Sequence, residues 1–117
     1  MKRLFMKPEY IELTRKGLKT ATTRMRKHGF CQYKLVSGNR FDAKDSGVVI
    51  EIDRITSYTP QDISEAHNAP VRMEIIKAEH FKSWKEFMDV LGKLNGKPIT
   101  AKTQLYTHFY KMVVNLG

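Results

Sequence analysis

The stretch Gly17-Leu18-Lys19-Thr20-Ala21-Thr22-Thr23-Arg24 joins the end of a helix to the start of a strand. Glycine is the residue that most readily takes the left-handed conformation that ends a helix, so Gly17 is predicted to end the preceding one. The β-branched threonines that follow favour an extended strand over residues 19–25. Side chains alternate along a strand, so Thr22 and Arg24 are predicted to share one face.

The same stretch lies in a strongly basic region. Six of the thirteen residues from Arg15 to Lys27 are basic and none is acidic. Such a region supplies charge for phosphates, an arginine fork for bidentate contacts, and Thr22 as a small donor or nucleophile. A solvated basic edge strand is the alternative interpretation. The residues predicted to bind nucleic acid or substrate are Gly17, Lys19, Arg24, Arg26 and Lys27.

The positive charge of the chain is confined to its first part. Residues 1–44 carry twelve Lys or Arg and three acids, an excess of nine, whereas residues 45–117 carry nine of each sign. A one-sided positive potential attracts polyanions, so RNA or a nucleoside or nucleotide is the predicted ligand. A basic protein without such a ligand is the alternative. No basic amphipathic helix with an aromatic face points to a membrane surface.

Length and composition predict one intracellular domain. The 117 residues suit a single domain spanning 1–117, which we expect to be monomeric. Cys31 is the only cysteine, which excludes an internal disulfide, and the start MKRLFMKPEY lacks a signal-peptide pattern, so a cytoplasmic location is expected. The four histidines lack the short spacing of a metal pair, and neither a metal nor another cofactor is predicted.

The order of predicted elements indicates an α+β fold: a small mixed, mostly antiparallel β-barrel with an N-terminal helix and a helical insertion before the last strand. Val48, Ile50 and Ile52 are predicted to face inward. The predicted elements are a strand at 3–6, a helix at 8–16, a strand at 19–25, hairpin strands at 31–36 and 40–44, a strand at 48–55, a helical region from Thr59-Pro60, a helix at 70–79, a helix from the capping box at Ser83 to Asn95-Gly96, and a strand at 104–114.

Residues 17–24 fit the pattern G-x-K-x-x-T-x-R, and in this the chain resembles the ASCH family of the PUA-like superfamily. The resemblance extends to the order of elements and to the later stretch from Ala78 to Phe87. It implies a PUA-like barrel that binds RNA or modified nucleosides in a cleft beside the motif. The chain is longer around Gly29 to Lys34 than the compact members of the family, and it carries Gly38-Asn39 where Gly-Asp is usual.

Small members of this family that the chain resembles are amidohydrolases that remove the acetyl group of N4-acetylcytidine. Their catalytic lysine and threonine correspond by motif position to Lys19 and Thr22, and Glu79 is the best match for their glutamate. Glu74 and Glu51 remain alternatives for the acid. A non-catalytic RNA-binding module and a single-strand ribonuclease remain alternatives for the function.

Amide hydrolysis requires a nucleophile, a group that takes its proton, and a donor for the developing oxyanion. Thr22 is the predicted nucleophile, and Glu79 is predicted to orient the catalytic groups or to shuttle a proton. A lysine with an ordinary pKa near 10.4 is a poor base at neutral pH, so Lys19 requires desolvation or a neighbouring cation such as Arg24. A backbone N–H near Gly17 or Lys19 is the predicted oxyanion donor.

Overall fold

The computed structural model describes residues 1–116, which form five strands and three α-helices. A short 3-10 helix, Ala66–Asn68, precedes the second α-helix. The elements along the chain are β1 (Lys2–Phe5), α1 (Pro8–Arg15), β2 (Ala21–Arg24), β3 (Gln32–Asn39), β4 (Asp42–Tyr58), α2 (Ala69–Glu79), α3 (Trp84–Asn95) and β5 (Leu105–Asn115).

The five strands form one mixed sheet in the order β1-β3-β4-β5-β2. β1 runs parallel to β3, and the other three pairs are antiparallel. The mostly antiparallel α+β fold, the N-terminal helix and the helical insertion before the last strand are therefore confirmed. The hydrogen-bonded ladder ends at β1 and β2, so the strand pairs of the described residues form a sheet with two edges and not a closed barrel.

β4 is one strand of 17 residues, where the sequence predicted two strands, at 40–44 and 48–55, with Asp45-Ser46-Gly47 between them. These residues form an irregularity inside the strand. The Asp45 carboxylate accepts a hydrogen bond from the N–H of Gly47, whose φ is 77°, and the Ser46 hydroxyl donates to the Leu35 carbonyl of β3. Because side chains satisfy the interrupted backbone groups, the strand continues to Tyr58.

The helices begin and end largely where the sequence signals predicted. At the start of α3 the Ser83 hydroxyl accepts the N–H of Glu86 at 3.1 Å, and Gly96 ends the helix with a φ of 70°. The helical region predicted from Thr59 is wrong. The side chains of Thr59 and Asp62 bond to each other's backbone N–H in a single turn, and that turn does not continue into a helix.

The core has two parts that meet across the sheet. The first joins α1 to β1, β3 and β4, where Val48, Ile50 and Ile52 are at most 2% exposed, as predicted. The second joins α2 and α3 to β2 and β5 and includes the buried Phe87 and Leu91 of α3. None of the helices in residues 1–116 combines the length and apolarity needed to span a bilayer.

Candidate active site

The end of α1 fixes the position of Lys19. Gly17 adopts a φ of 73° and turns the chain away from the helix. The N–H groups of Gly17 and Lys19 donate to the carbonyls of Thr14 and Leu13, at 3.0 and 3.2 Å. Both N–H groups therefore complete the helix end, and neither is left without a partner to serve as the predicted oxyanion donor.

The end of α2 meets this segment. The N–H of Thr20 donates to the carbonyl of Ala78 at 2.7 Å, a backbone contact that holds the start of β2 against the last turn of α2. His80 follows in the left-handed conformation, with a φ of 64°, and its side chain is exposed. The contact brings Lys19 beside Glu79.

Lys19 and Glu79 form a buried ion pair. The Lys19 Nζ donates to the Glu79 carboxylate, and each side chain is only 4% exposed. The ring of Tyr10 covers the ammonium at 5.3 Å from the ring centroid. Burial, Glu9 and Glu79 together raise the pKa of the Tyr10 phenol. A buried ion pair contributes little to stability compared with an apolar pair of the same volume, so stability alone does not explain this one.

Arg24 connects the two edges of the sheet. Its Nη2 donates to the Phe5 carbonyl of β1 at 2.7 Å, and its Nε donates to the Thr22 hydroxyl at 3.0 Å. Burial lowers the pKa of the Arg24 guanidinium, and the nearby Glu79 carboxylate partly opposes that shift. The arginine predicted as a phosphate ligand thus also holds the sheet edges together and contacts the predicted nucleophile.

Thr22 is held from its side chain and from its backbone. Its side chain is buried and its hydroxyl oxygen accepts the bond from Arg24, so its hydroxyl hydrogen remains available for donation. Its carbonyl lies 3.1 Å from the Nδ1 of His108, the residue paired with it across β2 and β5. Both contacts fix the orientation of Thr22.

The ring of His108 is fully buried and bonded at both nitrogens. Its Nε2 accepts the backbone N–H of His28 at 2.9 Å, which leaves Nδ1 to carry the hydrogen that is donated to Thr22. Burial lowers the pKa of His108 to about 4. The ring is therefore neutral at pH 7 and joins Thr22 to the loop that contains His28.

Lys19, Thr22, Arg24 and Glu79 all line one cleft of about 330 Å³. We call it the central cleft. It opens at the seam between β1 and β2 and extends under α3. A volume in this range is typical of a site for a small molecule.

Sequence reasoning did not identify several residues of the central cleft. Phe5 and Lys7, at the junction of β1 and α1, form one wall together with Tyr10, and Phe81 lies on the side of α2 and α3. Phe5, Tyr10 and Phe81 are all partly exposed. Only the sheet order, which brings the edges β1 and β2 together, shows that these residues face the motif.

The remaining predicted binding residues lie elsewhere. Gly17 and Arg26 do not line the central cleft, and Lys27 lines a separate groove. Of the alternative acids, Glu74 forms an exposed ion pair with Arg54, and Glu51 pairs with Lys111. Within residues 1–116, no group of three or more His, Cys, Asp or Glu side chains is arranged to hold a metal ion.

Comparisons with known proteins identify the fold. No protein-family model matches the sequence, and no curated protein has a significantly similar sequence. Among solved structures, the crystal structure of an ASCH domain from Lactobacillus crispatus JV V101 is similar, with a TM-score of 0.62 and 13% identity over 92% of this chain and 72% of that one. The chain therefore has the fold of an ASCH domain.

Proposed function

We propose that the central cleft binds a single nucleoside unit of RNA and hydrolyses an acyl group on its base, with N4-acetylcytidine as the model substrate. The observation that carries this proposal is the convergence of Lys19, Thr22 and Glu79 on one cleft. Lys19 and Thr22 belong to one motif, whereas Glu79 lies 60 positions after Lys19 in the sequence. Among the residues that the structure describes, Glu79 is also the one acid that lines the cleft.

The electrostatics of the cleft suit an electron-rich ligand. Its lining includes three cations, Lys7, Lys19 and Arg24, against the carboxylate of Glu79. Partly exposed aromatic rings such as Phe5 and Tyr10 offer surfaces on which a base can stack, and such stacking contributes about 1–3 kcal/mol per base. The cleft thus combines positive charge with aromatic surface, which is the pattern of single-stranded nucleic acid recognition.

The proposed reaction uses Thr22 as the nucleophile. Its hydroxyl oxygen attacks the acyl carbon and forms a C–O bond, while the Glu79 carboxylate of the Lys19–Glu79 pair takes up the hydroxyl proton. The C–N bond then breaks, and the exocyclic amine leaves with that proton. A water molecule hydrolyses the resulting threonine ester, which releases acetate and returns a proton to Thr22. Arg24, whose Nε donates to the Thr22 oxygen, supplies positive charge beside the acyl oxygen on which the negative charge develops.

Acetate release from N4-acetylcytidine tests the proposal. Thr22→Val keeps the shape of the side chain and removes the nucleophile, so we expect turnover to fall by about 10³-fold or more. The affinity for the nucleoside should change by less than about threefold, because the contacts that hold the substrate before reaction remain in the variant. Thr20→Val is the matched control, since Thr20 is exposed and does not line the cleft.

Other outcomes would select a different function. Binding of RNA without turnover of any acylated nucleoside would indicate a non-catalytic module. Cleavage of single-stranded RNA would indicate a ribonuclease that uses the same cluster at the scissile phosphate. Equal losses of binding and turnover in Thr22→Val would show that Thr22 has a structural role and would contradict its role as nucleophile.

A further inference from the structure

A second concave surface lies beside the central cleft. It has a volume of about 410 Å³ and is lined by Lys2 and Arg3 of β1, by Lys27 and His28 of the loop after β2, and by Phe5. We call it the basic groove. Phe5 lines both the basic groove and the central cleft, so the two surfaces are continuous across this one residue.

The basic groove carries uncompensated positive charge. Within the described part of the chain, its lining has three cations and no acid. Among the ion pairs formed by residues 1–116, none involves Lys2, Arg3 or Lys27. The pKa of His28 is lowered by burial and then by the charges of Arg24, Arg26 and Lys2. Lys2 of the groove and the neighbouring Arg24 and Arg26 thus act together on the His28 ring, and this concentration of positive charge favours binding of an anion.

The junction between the two surfaces is aromatic. Phe5 is partly exposed, and the Arg3 guanidinium lies 5.3 Å from the centre of its ring. An aromatic ring flanked by cations is the arrangement by which proteins hold a base and its neighbouring phosphate in single strands. Lys2 and Phe5 are three residues apart on β1, or about 10 Å along an extended strand. A ligand that fills both surfaces therefore extends beyond one nucleoside.

The basic groove is also connected to the predicted nucleophile. The N–H of His28 donates to the ring of His108, and the same ring contacts the carbonyl of Thr22. The loop that supplies Lys27 and His28 is therefore fixed relative to the floor of the central cleft. The distance between a phosphate in the groove and a base in the cleft is therefore set by the protein.

We infer that the basic groove binds the phosphodiester backbone next to the nucleoside in the central cleft, so that the ligand is a single-stranded oligonucleotide and not a free nucleoside. This inference rests on the proposed function, because it takes the central cleft as the site of the nucleoside. The phosphate is recognised by Lys2, Arg3 and Lys27, and Phe5 separates it from the base in the cleft.

The test compares three ligands by titration calorimetry at low salt: cytidine, cytidine 5′-monophosphate and a five-nucleotide single-stranded oligocytidylate. We expect the oligocytidylate to bind at least tenfold more tightly than either smaller ligand. The triple variant Lys2→Ala/Arg3→Ala/Lys27→Ala should lose most of this gain and leave the affinity for cytidine unchanged. The slope of log affinity against log salt concentration should also become less steep by about 2 in the triple variant. Each phosphate contact on a single strand contributes roughly 0.7 to this slope, and the variant removes three cations.

A second triple variant controls for net charge. Lys44→Ala/Lys85→Ala/Lys102→Ala removes the same three charges from exposed positions that line neither surface. We expect its affinity for the oligocytidylate to fall less than twofold. The same loss in both triple variants would overturn the inference, because the effect would then come from overall charge. A cooperative thermal unfolding transition in each variant would show that the variant is folded.

The remaining outcomes separate this inference from the proposed function. Oligocytidylate binding no tighter than that of cytidine or of the monophosphate would overturn the inference, while turnover of N4-acetylcytidine would still support the proposed function. Oligonucleotide binding that depends on the basic groove, without turnover of an acylated nucleoside, would support the inference and contradict the hydrolysis. A rise in the pKa of His28 on addition of the oligocytidylate, measured by NMR titration, would support a phosphate in the groove.

Discussion

Removing the charge of Glu79 should destabilise the protein much more than removing the charge of another glutamate on the same helix. Glu79→Gln leaves the Lys19 ammonium without its carboxylate at a position where both side chains are 4% exposed. Breaking a buried ion pair from one side costs about 3–5 kcal/mol. The glutamine oxygen can still accept a hydrogen bond from Lys19, so we expect a loss near the lower end, about 3 kcal/mol.

Glu74→Gln provides the matched comparison. Glu74 also lies on α2 and also forms an ion pair, but the side chains of Arg54 and Glu74 are 52% and 50% exposed. Water and salt screen such a pair, so its loss should cost at most about 1 kcal/mol. Urea unfolding followed by the fluorescence of Trp84, the single tryptophan, measures both variants. For a domain of this size the loss in Glu79→Gln corresponds to a Tm lower by roughly 12 °C.

The double variant Lys19→Met/Glu79→Leu separates stability from activity. Replacing both members of a buried ion pair by apolar side chains is often neutral or stabilising, so we expect this variant to recover most of the lost stability. It should remain inactive on N4-acetylcytidine, because it has no group left to take the threonine proton. If Glu79→Gln were no less stable than Glu74→Gln, the pair would not be desolvated in solution, and the reasoning from burial would be refuted.

Two further predictions concern stability. Burial lowers the pKa of His108 to about 4, below its ordinary value of 6.5, so the folded state holds the ring in its neutral form. The neutral ring contributes about 3 kcal/mol to the free energy of unfolding. This contribution is complete above about pH 6.5 and is lost as the pH falls towards 4. Urea unfolding between pH 4 and pH 7 should show this dependence in the wild type, and His108→Gln should lack it. Gly96→Ala should cost about 1 kcal/mol, because its φ is 70° and an added Cβ meets nothing within 4 Å. Gly38→Ala should cost clearly more, because its Cβ would lie 2.4 Å from the backbone oxygen of Asp42; equal losses in thermal unfolding would contradict this steric argument.

The sequence predicted the elements whose signals are local. Proline at the start of α1 and α2 has no N–H that needs a partner there. The Ser83 cap and the glycine at position 96 satisfy backbone groups within a few residues, so none of these effects depends on the rest of the fold. The alternation of Val48, Ile50 and Ile52 was informative for the same reason, because one face of the strand is buried against a single core.

The secondary-structure predictions were wrong where side chains form contacts that local sequence signals do not indicate. Asp45-Ser46-Gly47 has the composition of a turn, but the Ser46 hydroxyl bonds to Leu35 on the neighbouring strand and keeps β4 continuous. Thr59 begins a turn with the signals of a helix start, and its bond to Asp62 is satisfied within that turn. In each case the side chain found a partner that sequence periodicity cannot indicate.

The candidate site shows the same division. Lys19, Thr22 and Arg24 were predicted because they lie within one short motif, and Glu79 was selected by resemblance over Glu74 and Glu51. Lys2, Arg3, Phe5 and Lys7 were not predicted as site residues, although they line the two surfaces. Their position depends on the parallel pairing of β1 with β3, a contact between residues about thirty positions apart that no local pattern specifies.

The location of the site follows from the incomplete closure of the sheet. A closed ladder between β1 and β2 would satisfy their backbone groups and leave no opening there. Here the Arg24 side chain, and not a backbone N–H, donates a hydrogen bond to the Phe5 carbonyl. This bond holds the two edges together and leaves a cleft at the seam. The segment from Gly17 to Arg24 lies at this seam, because it runs from the end of α1 past Glu79 into the edge strand β2. A motif of eight residues can therefore supply the nucleophile, the buried cation and the link between the sheet edges at once, and the surrounding fold needs to add only one acid.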